Sequence, residues 1–351
     1  MRQVFAGLYD CDELDDLLLW PGESAVNVQD IVKDCVLFLG TKEKGHFRPK
    51  ATAFHVRYDE DGLGFIYLIT AEHNITGFRE KNWDLWNRAN LKDGKVLETK
   101  MSLENWWFHP DSGKAPTDVA VCPVVFHPDE KYRTIPLNGK EGIAGTADVL
   151  AKNYIGLGDE IVITGLFRSH HGRQQNIPII RIGTIATMKE EPVYTKYCGY
   201  TDAYLIEARS ISGLSGSPVF VNVPPFHITN DGAIEATRGS RLYFLGLMHG
   251  HFDVQNLNED MVADSDDDAS KGINTGIGVV IPVEKIIETL EGDEMSEQRK
   301  QAVKYHREKR GATPDFAVDE GASPTNNNNP AHKEDFTALL TEAARKQPQG
   351  D

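Results

Sequence analysis

Short apolar, β-branched runs recur along most of the chain, separated by turns rich in Asp, Gly and Lys. In the first half the runs are Asp34–Leu39, Ala51–Val56, Phe65–Thr70, Val96–Met101, Trp106–Phe108 and Val119–Val125. In the second half they are Glu160–Gly165, Ile179–Ile185, Ala203–Ile206, Pro218–Val221, Leu242–Met248 and Gly278–Ile281. Each has the length of a strand. The spacing predicts an all-β chain built as barrels rather than alternating strand and helix units. After the last run the period changes. Pro282 opens a predicted helix over 283–291, with Val283, Ile286, Ile287 and Leu290 on one apolar face.

The same pattern sets the expected boundaries. Residues 1–27 are acidic and lack a clear period, so they read as an N-terminal extension. The main domain spans 28–292, with a first barrel over 28–128, a linker over 129–157 and a second barrel over 158–282. Residues 293–351 read as a polar helix followed by a largely disordered tail. Within that tail, residues 311–333 hold Pro, Gly, Asp and the run Asn326–Asn329, as a flexible linker does. Beyond it, Phe336, Leu339, Leu340 and Ala343 share one helical face, which reads either as a docking face, for a protein partner or for the main domain, or as a frayed, solvated tail.

A chain of 351 residues can bury two substantial cores. Its 53 acidic against 37 basic residues give a net charge of −16, which argues against nucleic acid and against an anionic membrane surface as partners. No apolar run reaches transmembrane length, and the first residues do not resemble a secretory signal. The four cysteines, Cys11, Cys35, Cys122 and Cys198, show no metal-ligand spacing. His170-His171 and His249-Gly250-His251 read as loop histidines rather than zinc ligands. Asp264–Asp268 has the spacing of the start of a calcium loop. However, Ala269 stands where such a loop needs Gly and Thr275 where it needs Glu, so it reads as a solvated acidic loop.

The candidate chemistry lies in three segments. Gly213-Leu214-Ser215-Gly216-Ser217-Pro218 places a serine on a tight glycine turn between two strand-like runs, as a nucleophile beside backbone N–H donors requires. His73 ends the run Phe65–His73, where a general base would be held rigidly. Asp118 leads into the apolar run Val119-Ala120-Val121, where a buried carboxylate needs a partner such as an imidazole N–H. The chain order is His, Asp, Ser, with the first two in one barrel and the third in the other.

These segments resemble the chymotrypsin-like (trypsin-like) serine peptidases. Thr70-Ala71-Glu72-His73 is similar to the family's Thr-Ala-Ala-His. Trp107–Asp111 with Thr117-Asp118-Val119-Ala120 resembles its His-Pro…Asp-Ile-Ala segment, and Gly213–Pro218 resembles its Gly-Asp-Ser-Gly-Gly-Pro. The Ser-Gly-Ser-Pro ending is nearer the bacterial branch that includes glutamyl endopeptidases. Thr275–Pro282 resembles the last strand of HtrA-type proteases. The resemblance runs over roughly residues 30 to 292. It implies two packed six-stranded antiparallel barrels with a C-terminal helix and flexible tail. It also implies a triad of His73, Asp118 and Ser215, and an oxyanion hole from the N–H groups of Gly213 and Ser215. Peptide bonds of a protein or peptide substrate would be cut through an acyl-enzyme, with no metal or organic cofactor.

Several departures refine that expectation. Asn74 stands where secreted relatives carry a cysteine, and no cysteine lies near Ser215, so the implied compartment is a reducing, bacterial cytoplasm. Leu214 replaces the aspartate that pairs with a new N-terminus in zymogen-activated relatives, which implies activity without N-terminal processing. Glu72 replaces the usual alanine and is expected on the outer face of the strand. For the substrate pocket, the resemblance places Arg209 at the floor, where it reads either as a buried positive group or as a solvated loop arginine, and Met248, His249 and Gly250 in the wall. The alternative function is a catalytically silent, peptide-binding or scaffolding module on the same fold.

Overall fold

In the computed structural model, which describes residues 8–10, 32–111, 117–208, 213–228, 232–236, 240–256, 259–263 and 273–311, the apolar runs of both halves are strands. The first half contributes β1 (Leu8–Asp10), β2 (Val36–Glu43), β3 (His46–Glu60), β4 (Leu63–Thr70), β5 (Leu85–Asn90), β6 (Val96–Met101), β7 (Trp107–Phe108), β8 (Ala120–Pro123) and β9 (Ile135–Pro136). They join in the order β6-β5-β2-β3-β4-β8-β7, with β1 added to β4 and β9 to β3. Every residue of β4 is buried, which is why that run reads as continuously apolar instead of alternating. Leu37, Leu39, Ala53, Leu68, Ala120 and Cys122 share one of the buried clusters inside this sheet.

The second half contributes β10 (Glu160–Gly165), β11 (Ile179–Thr187), β12 (Val193–Thr195), β13 (Gly199–Thr201), β14 (Tyr204–Glu207), β15 (Pro218–Val223), β16 (Phe226–Ile228), β17 (Ile234–Ala236), β18 (Arg241–Asn256), β19 (Glu259–Ala263) and β20 (Ile273–Pro282). The path β15-β10-β11-β14-β20-β18 closes through pairing of β15 with β18, giving a six-stranded antiparallel barrel. β19 extends β18, while β12–β13 and β16–β17 are separate hairpins. The fold class is therefore the expected one, with one adjustment. The first sheet gathers nine strands instead of six, and among the described residues no pairing closes its path from β6 to β7; β1 and β9 pair with the stretches of β4 and β3 that run beyond β8 and β2, satisfying backbone groups there.

The helices that accompany the sheets among the described residues include α1 (Glu72–Glu80), α2 (Ala147–Lys152), α3 (Val283–Glu291) and α4 (Asp293–Gly311). The expected linker over 129–157 is folded: β9 runs parallel to β3, α2 follows, and Ile135, Leu137 and Leu150 are buried. β5 was not legible, because its sequence Leu-Trp-Asn-Arg-Ala-Asn lacks an apolar alternation. It is nevertheless paired on both sides, and Arg88 within it is buried. That guanidinium donates to Asn176 Oδ1 at 2.7 Å and to the Arg173 carbonyl at 2.9 Å, so a loop of the second barrel is latched onto the first. Phe54 of β3 meets Phe244 of β18 edge to face, with centroids 5.4 Å apart, and Phe220 lies 5.7 Å beyond. Such pairs add about 0.5–1.5 kcal/mol each beyond area burial, and the Phe54–Phe244 pair crosses between the two halves within one buried cluster.

α3 follows the expected pattern, with Val283, Ile286 and Leu290 buried. α4 is polar in composition yet packed: Met295, Arg299, Ala302 and Val303 are buried on one side. Arg299 donates to Glu60 Oε2 at 2.5 Å and to the Leu290 carbonyl at 2.7 Å, and its guanidinium lies 4.6 Å from the Tyr58 ring. One buried basic side chain thus fastens the helix that the sequence marked as polar. Cys35, Cys122 and Cys198 are buried and form no disulfide among the described residues, and burial pushes the Cys122 thiol up to about 12. Among the described residues no helix is long and apolar enough to cross a membrane. Of the expected extension over 1–27 only Leu8–Asp10 is described, paired with β4. The acidic loop 264–268 and the tail beyond 311 lie outside the described residues.

Candidate active site

The base is delivered by a helix start instead of a strand end. β4 stops at Thr70, Ala71 is extended, and His73 sits in the first turn of α1. The first N–H groups of a helix have no intrahelical acceptor. The His73 backbone N–H donates to Asp118 Oδ1 at 2.9 Å, so one carboxylate oxygen serves the helix end. Asp118 lies just before β8, fully buried. Ser215 lies on the turn leading into β15, between Gly213 at φ +101° and Gly216 at φ +82°. Both glycines occupy backbone regions that side chains disfavour.

The three side chains meet in a line. Ser215 Oγ is 2.7 Å from His73 Nε2, and His73 Nδ1 is 2.8 Å from Asp118 Oδ2. A carboxylate only accepts, so Nδ1 carries the hydrogen and Nε2 is left to accept from the serine hydroxyl. Burial pushes the Asp118 carboxyl up, but His73 and His249 beside it outweigh that and hold it well below the usual carboxylate range. Asp118 therefore stays ionised behind the imidazole.

Thr52 of β3 holds the serine turn from across the seam. Its N–H donates to the Ser215 carbonyl at 3.2 Å, and its hydroxyl donates to the Gly213 carbonyl at 2.8 Å while accepting from the Leu166 N–H at 2.9 Å. Asn74 adds a side-chain contact: its Nδ2 donates to Ser215 Oγ at 3.2 Å and to Thr70 Oγ1 at 3.1 Å. Sequence reading marked Asn74 only as a missing cysteine and overlooked Thr52. No local signal exposes Thr52, since its role depends on a contact between barrels.

The residues expected to build the pocket fare differently. Arg209 lies outside the described residues. Met248 is fully buried in the core of the second barrel; its backbone accepts from Gly216 and donates to Ser217, fastening the serine turn. His249 is also fully buried, with Nδ1 2.5 Å from Asp118 Oδ2. Both side chains face inward, and the reading of His249 and His251 as loop histidines is corrected: both lie within β18, His249 behind the base and His251 paired with Gly278 of β20. Gly250 follows His249, buried, in the same strand. His73, Asp118 and His249 are of metal-ligating types and converge. Their N···O separations of 2.8 and 2.5 Å are hydrogen-bond contacts. Two ligands of one tetrahedral zinc, each at about 2.0–2.1 Å, would stand roughly 3.3 Å apart.

Glu72 departs from its expected outward position. It is 6 % exposed and lies near Asp118 and Tyr197. The Tyr197 ring, at the tip of the β12–β13 hairpin, sits 5.5 Å from the His73 ring. Burial, with Asp118 acting in the same direction, raises the Glu72 carboxyl from 4.5 to about 7. Its folded pKa exceeds its unfolded one, so its ionisation opposes folding: stability falls as pH rises from the unfolded value through about 7. We expect Glu72→Gln to raise thermal stability at pH 8, on the order of 1–2 kcal/mol after allowance for solvent access. At pH 5 the variant should melt with the parent. Equal shifts at both pH values, in thermal melts, would rule out the charge as the cause.

No protein-family model matches the chain, and no curated protein matches it in sequence. Solved structures do. The MamO protease domain from Magnetospirillum magneticum is 12% identical with a TM-score of 0.45, over 75% of this chain and 100% of that one. Deg5 is 11% identical with a TM-score of 0.41, over 75% and 94%. The HtrA-type protease AlgW, solved with a decapeptide, is 14% identical with a TM-score of 0.39, over 74% and 64%. The closed six-stranded barrel, the second sheet facing it, the histidine, aspartate and serine meeting where the two halves join, and the C-terminal helix together give this chain the chymotrypsin-like protease fold.

Proposed function

We propose that the chain is a serine endopeptidase that cleaves peptide bonds of protein or peptide substrates. The observation that carries this reading is the 2.7 Å contact of Ser215 Oγ with His73 Nε2, with Asp118 Oδ2 2.8 Å behind the ring. In the proposed reaction Ser215 Oγ attacks the substrate carbonyl carbon as its proton passes to His73 Nε2. The imidazolium then protonates the leaving amine, and Asp118 stabilises the charge without taking the proton. Water, activated by the same nitrogen, releases the acid and restores Ser215. The Gly213 and Ser215 N–H groups are the proposed oxyanion donors, worth about 2.7–4 kcal/mol each where such donors have been removed. Arg209 and Gly250 remain the proposed substrate contacts, since the Met248 backbone is engaged by the serine turn and the His249 side chain by Asp118.

Leu214 supports activity without N-terminal processing. It is fully buried in the second barrel's core, where an ion pair with an amino terminus has no counterpart. The test is treatment of the full-length chain with a fluorophosphonate probe, followed by peptide mapping. The expected result is one adduct, on Ser215, together with cleavage of a peptide library. A chain that neither labels nor cleaves would be the silent binding module instead.

A further inference from the structure

The second histidine on Asp118 has no part in the reaction as described so far. In the β18–β20 ladder Met248 pairs with Val280 and Gly250 with Val279, so His249 is an extra residue on one strand. A bulge of this kind re-aims a side chain, and such bulges recur beside active sites. Here it turns His249 inward until its ring centroid lies 5.4 Å from that of His73, nearly perpendicular to it. Its Nδ1 shares Asp118 Oδ2 with His73 Nδ1. Three donors therefore hold one fully buried carboxylate: the His73 N–H on Oδ1, and the two imidazoles on Oδ2. A buried carboxylate with fewer donors would be freer to rotate and would ionise less readily.

We infer that His249 is a positioning residue for hydrolysis, its Nδ1–H fixing the Asp118 carboxylate in the orientation that orders His73. The inference rests on the proposed hydrolase reading of the same site. His249 acts through Asp118 and touches no reacting atom. The titratable groups around that carboxylate are His73 and Glu72 from α1, His249 from β18 and Tyr197 from the β12–β13 turn. Removing the His249 donor leaves more of the Asp118 charge to favour the His73 imidazolium, which is inactive as a base. The acidic limb of the kcat/KM profile should then move to higher pH.

Three full-length variants separate positioning from simple packing. His249→Asn places an amide N–H where Nδ1 stands; His249→Gln places it one carbon too far; His249→Phe fills the space without a donor. A misplaced catalytic group commonly costs on the order of 10²-fold. We expect kcat on a small peptide to fall about 10²-fold in the Phe and Gln variants with KM nearly unchanged, and to recover to within about tenfold in Asn. The acidic limb should shift in Phe and stay in Asn. If the Phe variant does not melt cooperatively, the Asn and Gln pair decides. Equal rates in all variants and the parent, or equal losses with an unmoved limb, would overturn the inference while leaving the hydrolase reading intact. A parent chain that fails to label at Ser215 removes the hydrolase reading, and this inference with it.

Discussion

Ser215→Ala, His73→Ala and Asp118→Asn should each lower kcat by about 10⁴-fold or more while the protein stays folded. The three act as one unit. Ser215 supplies the nucleophilic oxygen, His73 Nε2 receives its proton at 2.7 Å, and Asp118 sets the tautomer that leaves Nε2 unprotonated. Asn at 118 turns its amide NH2 either to the two imidazoles that share one oxygen or to the His73 backbone N–H on the other, so a donor faces a donor at the centre of a buried network. The Ser215→Ala and His73→Ala double variant should lose little beyond the worse single one, because the same step is already gone. Turnover of a peptide by each purified variant, with circular dichroism as the folding control, makes the measurement. Parent-like rates in Ser215→Ala would end the assignment. Multiplicative losses in the double variant would show that the residues do not work together.

Gly216→Ala should be the most disruptive small change near the site. A Cβ at 216 would stand 2.2 Å from the Thr52 carbonyl oxygen and 2.4 Å from Thr70 Oγ1. Thr52 cannot retreat, since it sits inside β3 and holds the serine turn through its own N–H and hydroxyl. Placing alanine at φ +82° adds a backbone cost of about 1–2 kcal/mol to an overlap cost of about 1–3 kcal/mol. The expected total is about 3 kcal/mol, with activity lost because the turn moves relative to His73. Gly45→Ala provides the internal comparison. It has φ +80°, but nothing lies within 4 Å of its Cβ, so only the backbone cost applies. Denaturant midpoints of the two variants test this directly. Equal destabilisation would mean that the Thr52 contact is not what confines Gly216.

Most of the strand framework was readable because burial on both faces leaves a continuous apolar run, as in β4 and β10. α3 was readable for a related reason: its apolar face repeats at helical spacing and is covered by the barrels. β5 and the packed side of α4 were not readable. Arg88 and Arg299 are buried there, and their charges are tolerated only because distant carbonyls and side chains accept their hydrogens. A one-dimensional pattern scores such residues as exposed.

The site divides along the same line. His73, Asp118 and Ser215 could be picked out by sequence alone, because each sits at a junction of an apolar run with a turn, in residue types that suit acyl transfer. The glycines at 213 and 216 were legible for the same local reason, since positive φ is a property of one residue and its neighbours. Tertiary structure decided the rest. It put His73 on a helix start capped by Asp118, moved Glu72 inward, tied the serine turn to Thr52 and Asn74, and brought His249 through a bulge onto the same carboxylate. Each of these depends on a contact between segments far apart in the chain, where local propensity carries no information and only the meeting of the two barrels sets the distance.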